Sequence, residues 1–461
     1  MSQSPTFRRT PLATDTMPPG IFHLVANEGA ERFSFYGMRA ILVVFMTEML
    51  LNRDGQLDVM TDAEARAYFH LFASAVYFFP FVGAIVADAF WGKYTTIIRL
   101  SIVYCLGHLT LALDHTRLGL AIGLTLIAIG SGGIKPCVSA NLGDQFGPTN
   151  RGLMSKAFSW FYFAINAGAF VSMLLTPWLL NHYGPDWAFG VPGLLMFLAT
   201  VIFWLGRDRY VHIPPDPIGF WRALTDPETW RTLLKLCGIF VFVAVFWSLY
   251  DQTSSAWVLQ AKSMDRTWLG IEWLPSQIQA VNPILIMLFI PLFAYVVYPT
   301  LGRIVSLTPL RKMSIGFFLA VIAFLVSAII EARIVQGEHP SIVWQLLAYA
   351  IITAAEVLVS ITCLEFSYTQ APLKLKSIVM ALFLLSVSLG NALTSLVNYV
   401  IQQEDGTTLL SGPSYYGFFA GIMFLAAVVF LAVGRQYRER VYLHGATGAG
   451  THGNETLNFP A

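Results

Sequence analysis

The sequence predicts an all-α integral membrane protein, with twelve transmembrane helices in two six-helix bundles around a central cavity. Three observations predict it. First, 56% of the 461 residues are hydrophobic and only 12% are charged, with a mean hydropathy of +0.62. Globular chains carry about 25% charged residues, and a soluble domain could not cover its surface with so few. Second, about twelve apolar runs reach the roughly 20 residues that a bilayer span needs. Third, the charges between the runs alternate in sign along the chain.

Taken in order, residues 1–20 are polar and proline-rich, with Arg8 and Arg9. No apolar segment with a small-residue cleavage site follows them, so no cleavable signal peptide is expected. The apolar runs fall at roughly 22–51, 67–88, 95–114, 118–138, 157–181, 187–206, 231–258, 275–299, 309–331, 341–369, 374–402 and 413–434. With the N-terminus on the cytoplasmic side, the inside loops carry Lys93 and Arg99, Arg151 and Lys156, Arg207, Arg209, Arg222 and Arg231, Arg303, Arg311 and Lys312, and Lys374 and Lys376. The outside loops are mixed or acidic, with Asp54, Asp58, Asp62 and Glu64 against Arg53 and Arg66, then Asp186, and then Glu404 and Asp405. This pattern obeys the positive-inside rule with both termini in the cytoplasm, and a miscounted span would invert every later loop.

The longest hydrophilic break follows the sixth run and holds Pro214, Pro215 and Pro217. The expected organisation is a cytoplasmic tail (1–20), a first six-helix bundle (21–206), a cytoplasmic linker (207–230), a second bundle (231–434) and a tail (435–461), disordered after Tyr442. Two bundles of six place a site at the midplane between them. Composition and spacing alone leave other twelve-span architectures open.

A net charge of +1 gives no reason to expect nucleic acid. Cys105, Cys137, Cys237 and Cys363 form neither a ligand set nor a disulfide framework. No metal set, nucleophile elbow or phosphate loop appears, and Asp144 with His108 or His115 has no motif context, so an enzyme is not expected.

Ionisable groups within spans are costly and usually face a cavity or a partner. The densest set is on the first run, where Glu28, Glu31, Arg32, Tyr36 and Arg39 fall on one helix face. Structural ion pairs are one reading. The other is a proton site, because two carboxylates one turn apart raise each other's proton affinity and titrate together. The remaining ionisable groups are His70, Lys135, Lys235, Asp251, Glu356 and Glu365. His70 is either a packing residue or a proton relay near the outer end of the second span. Glu356 and Glu365 lie about 180° apart on a regular helix, so only one of them faces a site unless the helix breaks. Glu365 is ranked as the site residue and Glu356 as structural. Tyr162 and Asn166, Trp247 and Asp251 are i, i+4 pairs, and Asn282 precedes the helix-kinking Pro283. A buried Asn in lipid needs a partner, either another helix or a ligand.

Several of these residues sit in motifs. Glu28-x-x-Glu31-Arg32-Phe33-x-Phe35-Tyr36-Gly37 resembles the ExxERFxYYG motif of the proton-dependent oligopeptide transporter family. The segments Gly83 to Lys93, Gly132 to Ser139, Phe158 to Gly168, Phe246 to Gln252 and Leu364 to Pro372 resemble further motifs of that family, so the resemblance runs from the first span to the eleventh. It implies a major facilitator fold that imports di- and tripeptides by alternating access in the cell's inner (plasma) membrane. The proton gradient drives this, with no cofactor. By motif position, Arg39 and Lys135 take the peptide carboxylate, with Tyr36 and Tyr77 on the same side. Asn166, Asn282 and Glu365 take the amino end, and Trp247 walls the side-chain pocket. Asp251 is the outer-gate partner of Arg39, Glu28 and Glu31 couple protons with Arg32, and His70 stands where animal members carry their histidine.

The chain departs from the family in places. Lys235 occupies the basic position of a seventh-to-eighth-span bridge, but Ala294 stands where its acidic partner aligns. Phe35 and Phe383 replace a Tyr and a Trp. Other substrates, such as nitrate, a modified peptide or a drug, remain alternatives within transport. So does a peptide sensor that binds without transporting.

Overall fold

The computed structural model describes residues 7–218, 227–304, 306–370, 376–403 and 407–436. The expected tail after Tyr442, and the loop charges Arg222, Lys374, Glu404 and Asp405, lie outside them. Among the described residues, eleven helices are long and apolar enough to cross a membrane. A further helix, α1 (Ile21–Glu48), spans 28 residues, about 42 Å at 1.5 Å per residue. Every 18-residue stretch of α1 holds three or more charged residues, which sets it apart from the other eleven.

The helices run alternately away from and back toward the face at which α1 begins and the last helix ends, here the terminal face; the opposite one is the far face. They are α2 (Asp62–Val86), α3 (Lys93–Leu113), α4 (Arg117–Asp144), α5 (Met154–Tyr183), α6 (Pro185–Leu205), α7 (Pro227–Tyr250), α8 (Val281–Leu292), α9 (Pro309–Val335), α10 (Val343–Glu356), α11 (Lys376–Ile401) and α12 (Pro413–Gln436). Local chemistry fixes the starts. Thr61, Thr116 and Thr308 each accept a hydrogen bond from a first-turn backbone N–H, capping α2, α4 and α9. Pro185 and Pro309 sit in first turns, where no N–H is needed.

Three helices pass into π-turns, at Ala87–Trp91, Phe293–Val297 and Val357–Ile361. Beyond α7, a 3-10 turn (Asp251–Ser254) and a short helix (Ala256–Lys262) continue to the far face. A two-stranded hairpin follows, with Thr267 opposite Glu272 and Trp268 opposite Ile271.

One apolar core is built from α1 to α6, from Ile21 to Tyr210, with Leu259 added from the second half. A second is built from Leu233 to Phe430. Within the first, α1 packs on α5 and α6, and α3 on α4 and α6; within the second, α7 packs on α11, and α9 on α10 and α12. Two glycines set critical spacings. A Cβ on Gly168 would stand 2.5 Å from the Gly29 carbonyl, and one on Gly390 would stand 2.3 Å from the Ala244 carbonyl. Neither clash can be relieved by a side chain, so α1–α5 and α7–α11 approach at backbone distance only because these residues are Gly.

The halves meet chiefly through α2 and α11, near the far face. Ser74 and Ser388 hydroxyls pair at 3.1 Å, Ser395 donates to the Ala67 carbonyl at 2.8 Å, and Arg66 donates to Asn398 at 2.8 Å. Gln277 donates to the Leu174 carbonyl, Gln279 to the Ala40 carbonyl, and Lys262 pairs with Glu48 at 2.5 Å.

Candidate functional site

Between the halves lies a cavity of about 270 Å³. From the first half it is lined by Tyr36 and Arg39 on α1, Tyr77 on α2, and Tyr162, Ile165, Asn166, Ala169 and Met173 on α5. From the second come Trp247, Tyr250, Asp251, Thr253, Ser254, Gln279, Asn282, Pro283, Ile286, Tyr349 and Glu356, with Ser360, Ile361 and Leu364 toward the terminal face. On that side Tyr162, Ile361 and Leu364 are about 40% exposed.

The far end is closed by a chain of polar contacts. The Arg39 guanidinium donates to Asp251 Oδ1 at 2.5 Å. Asp251 Oδ2 accepts from Asn391 Nδ2 at 2.6 Å. Asn391 Oδ1 lies 2.7 Å from His70 Nδ1, and His70 Nε2 lies 2.8 Å from the Ser255 hydroxyl. Because Asp251 takes the amide N–H, Asn391 presents its carbonyl oxygen to His70. The neutral imidazole therefore carries its proton on Nδ1 and accepts from Ser255 at Nε2. All five residues are buried, and the chain ties α1, the turn after α7, α11 and α2 together.

The α1 stripe divides by height. Tyr36 and Arg39 reach the cavity; Glu28, Glu31 and Arg32, one to two turns nearer the terminal face, do not line it. Glu28 and Glu31 are at most 1% exposed. Arg32 Nε lies 2.6 Å from Glu28 and 3.2 Å from Glu31, so one cation serves two carboxylates.

Two expectations from the sequence are corrected. The sequence ranks Glu365 as the site acid and reads Glu356 at least as readily as structural; in the structure it is Glu356, not Glu365, that lines the cavity. Glu356 lines the cavity and accepts from Asn282 Nδ2 at 2.9 Å, and Asn282 also donates to the Thr353 hydroxyl at 3.0 Å. Glu365 is exposed and does not line the cavity. The π-turn at Val357–Ile361 separates the two and inserts an extra residue. A 180° offset computed for a regular helix therefore does not apply across it. The second correction is Lys135, which was expected beside Arg39. Its ammonium lies behind the cavity wall, 3.9 Å from the Phe35 ring centroid and 4.6 Å from that of Tyr77. It has no hydrogen-bond partner among the described residues. The two aromatic faces hold the cation electrostatically.

The other expected residues fall as follows. Tyr162, Asn166, Trp247 and Asn282 line the cavity with Tyr36, Arg39 and Tyr77. Asn166 spends one N–H on the Tyr162 carbonyl at 2.9 Å, and the Trp247 indole N–H has no partner among the described residues. Lys235 is exposed on α7 and forms no ion pair among the described residues. Asn391 was missed. The rule applied to Asn166, that an Asn in an apolar span needs a partner, would have found it.

Comparison with known proteins places the chain. The model of the POT family matches residues 94–220 and 217–411. The chain belongs to the POT family. It is 37% identical over 369 residues to "Peptide transporter family 1" of Drosophila melanogaster, covering 70% of this chain and 49% of that protein. It is 37% identical over 390 residues to "Solute carrier family 15 member 2" of Mus musculus, covering 73% of this chain and 52% of that protein. This POT-family chain thus spans about half the length of the curated relatives it matches. A crystal structure of an auto-inhibited POT family peptide transporter superposes with a TM-score of 0.85 at 37% identity, over 93% of this chain and 99% of the other. The family read from the motifs is the family matched, and the helical fold agrees.

Proposed function

We propose that this chain imports di- and tripeptides with protons by alternating access, as a twelve-span protein of the cell's inner (plasma) membrane. In this reading α1 is the twelfth span, the halves divide at the linker 207–230, and the terminal face is cytoplasmic. The proton gradient supplies the energy, and no cofactor is needed. The carrying observation is the cavity between the halves, with Arg39 on one wall and Glu356 on the other.

A peptide zwitterion has ends of opposite charge at a separation its backbone fixes. Glu356, ringed by Asn282 and facing Tyr250, suits the ammonium end. The charged lining groups are Arg39, Asp251 and Glu356, two acids to one base. No lining cation is therefore free of a carboxylate. The peptide carboxylate must compete with Asp251 for Arg39, so binding acts directly on the pair that closes the far end. About 270 Å³ lies near the lower edge of ligand pockets, roughly 300–1,000 Å³, and favours short peptides. Glu28 and Glu31 share Arg32 and take up the proton; protonation loosens Arg32 one turn below Tyr36. His70 transmits the state of the Arg39–Asp251 pair to α2 and α11.

Uptake of a labelled dipeptide into proteoliposomes tests the reading, with and without an inward proton gradient and with di-, tri- and tetrapeptide competitors. Gradient-dependent uptake blocked by di- and tripeptides but not by tetrapeptides is expected. Uptake that ignores the gradient or the peptides sinks it.

The corrected acid can be tested in the same assay. Hydrogen bonds to charged groups are worth about 1.5–3 kcal/mol. Glu356→Gln should therefore raise the dipeptide KM about tenfold to a hundredfold. Glu365→Gln should leave it within about twofold, because an exposed group off the cavity contributes little. Equal effects of the two would refute the assignment.

A further inference from the structure

The seam between α2 and α11 is polar from the far face down to the cavity. On α11, Ser388, Asn391, Ser395 and Asn398, with Gln402 just past its end, are spaced 3, 4, 3 and 4 residues apart. That is the inward stripe of a helix packed lengthwise on a partner, and such stripes are normally apolar. On α2, Arg66, His70, Ser74 and Tyr77 share one face. The two stripes meet rung by rung. Gln402 donates to the Thr61 hydroxyl at 3.2 Å, Arg66 to Asn398 Oδ1 at 2.8 Å and Ser395 to the Ala67 carbonyl at 2.8 Å. Then His70 pairs with Asn391 at 2.7 Å, and Ser388 donates to the Ser74 carbonyl at 2.8 Å. The first rung is exposed at the far face, and beyond the last rung Tyr77 lines the cavity.

Replacing both partners of a buried hydrogen bond by apolar groups is close to neutral, so polar rungs add little to the closed state. They matter when the seam parts. An apolar seam would then show oily surface to water at about 25 cal/mol per Å². Polar rungs exchange one another for water, or for a peptide's amides, at little net cost. Arg66 is the seam's one fixed cation among the described residues. It rests on neutral groups, Asn398 and the Tyr415 ring, whose centroid is 4.4 Å from the guanidinium carbon. It forms no ion pair among the described residues. Asp58 and Glu64, nearby on the chain, are held by Arg117 at 3.0 and 2.5 Å. Asp62, one turn earlier, is exposed and makes no ion pair with it.

We propose that the parted seam is the wall of the far-side path to the cavity, and that Arg66 receives the peptide carboxylate there before Arg39 does. The inference rests on the peptide-import reading above and adds an entry subsite for the carboxylate. The cavity itself shows the need. Its lining cation, Arg39, already holds Asp251, so a carboxylate arriving from the far face meets no unpaired positive charge inside. Arg66 stands eleven residues before Tyr77 on α2, about 17 Å nearer the far face. Leaving neutral partners strands no opposite charge, so Arg66 is free to take a carboxylate as soon as the seam opens.

The test compares Arg66→Gln with Arg66→Lys in the full chain, by dipeptide uptake into proteoliposomes. Gln keeps a donor for Asn398 and loses the charge; Lys keeps the charge and loses the planar fork. KM should follow the charge. Arg66→Gln should raise KM about tenfold at 0.01 M salt, where charges act over about 30 Å, with kcat within about twofold of wild type. Arg66→Lys should keep KM within about twofold. At 1 M salt, where the range is about 3 Å, the wild type should lose its advantage over Arg66→Gln. A residue that only clasps the seam would move kcat instead, and Gln would replace it better than Lys. The wall is tested by Ser388→Cys, which should react with an impermeant maleimide from the far side. A KM and salt response that ignore the charge of Arg66 overturn the subsite, and a Ser388→Cys variant inert until denatured overturns the wall. A wild type without gradient-driven uptake fails the import reading itself. A wild type that transports, with either of those two results, fails this inference alone.

Discussion

Glu31→Gln is expected to lower gradient-driven dipeptide uptake at least a hundredfold while counterflow stays measurable. The side chain is completely buried, and its one ionic partner among the described residues is an arginine it shares with Glu28. Gln has almost the same shape and mimics the protonated acid permanently. On the proposed reading, Arg32 would then always be released toward Glu28, and the carrier would bind and exchange peptide with no proton to let go. A hundredfold loss is about 2.7 kcal/mol, modest for removing a buried charge from a coupled pair. Gradient-driven uptake at the wild-type rate would remove Glu31 from the mechanism. Equal loss of counterflow would make it a structural residue.

Asp251→Asn should act on the far end instead. Arg39 is 6% exposed, and its guanidinium is flanked by the Phe69 ring, 5.3 Å from the centroid. Removing the carboxylate strands a cation in a dry closure, which costs about 3–5 kcal/mol. Opening to the far face hydrates Arg39 and relieves that cost, so the open population rises. A cysteine introduced at Ser254, on the cavity wall, should react with an impermeant maleimide from the far side about a hundredfold faster. The double variant Arg39→Gln/Asp251→Asn should return much of the way, since no charge is stranded, and the difference measures the coupling. Unchanged labelling in Asp251→Asn would show that the closure does not depend on this pair.

These predictions involve residues that differed in how easily they could be read from sequence. The α1 stripe was legible because charges on an otherwise apolar helix can be placed by periodicity alone, and the fold because span length and loop charge are set by the bilayer. Glu356 was misjudged because periodicity assumes a regular helix, and nothing in Val357–Ile361 announces a π-turn. Lys135 was assigned from its motif, which carries a role but not the Phe35 and Tyr77 faces that hold the ammonium in this conformation. Asn391 is different, since the rule that found Asn166 applied to it equally and was not used.

The seal between the halves also has a consequence for ionic strength. Its contacts are mostly neutral: serine to serine, Ser395 to a carbonyl, and two glutamines to carbonyls. Lys262 with Glu48 is a partly exposed ion pair, and mobile ions screen such pairs within about 10 Å at 0.1 M. Amide and hydroxyl bonds feel no such screening, and Arg39–Asp251 lies too deep for it. On the proposed reading, a carrier closed this way would keep the same latch in dilute and in salty surroundings, so that its gating would answer to the proton and not to ionic strength.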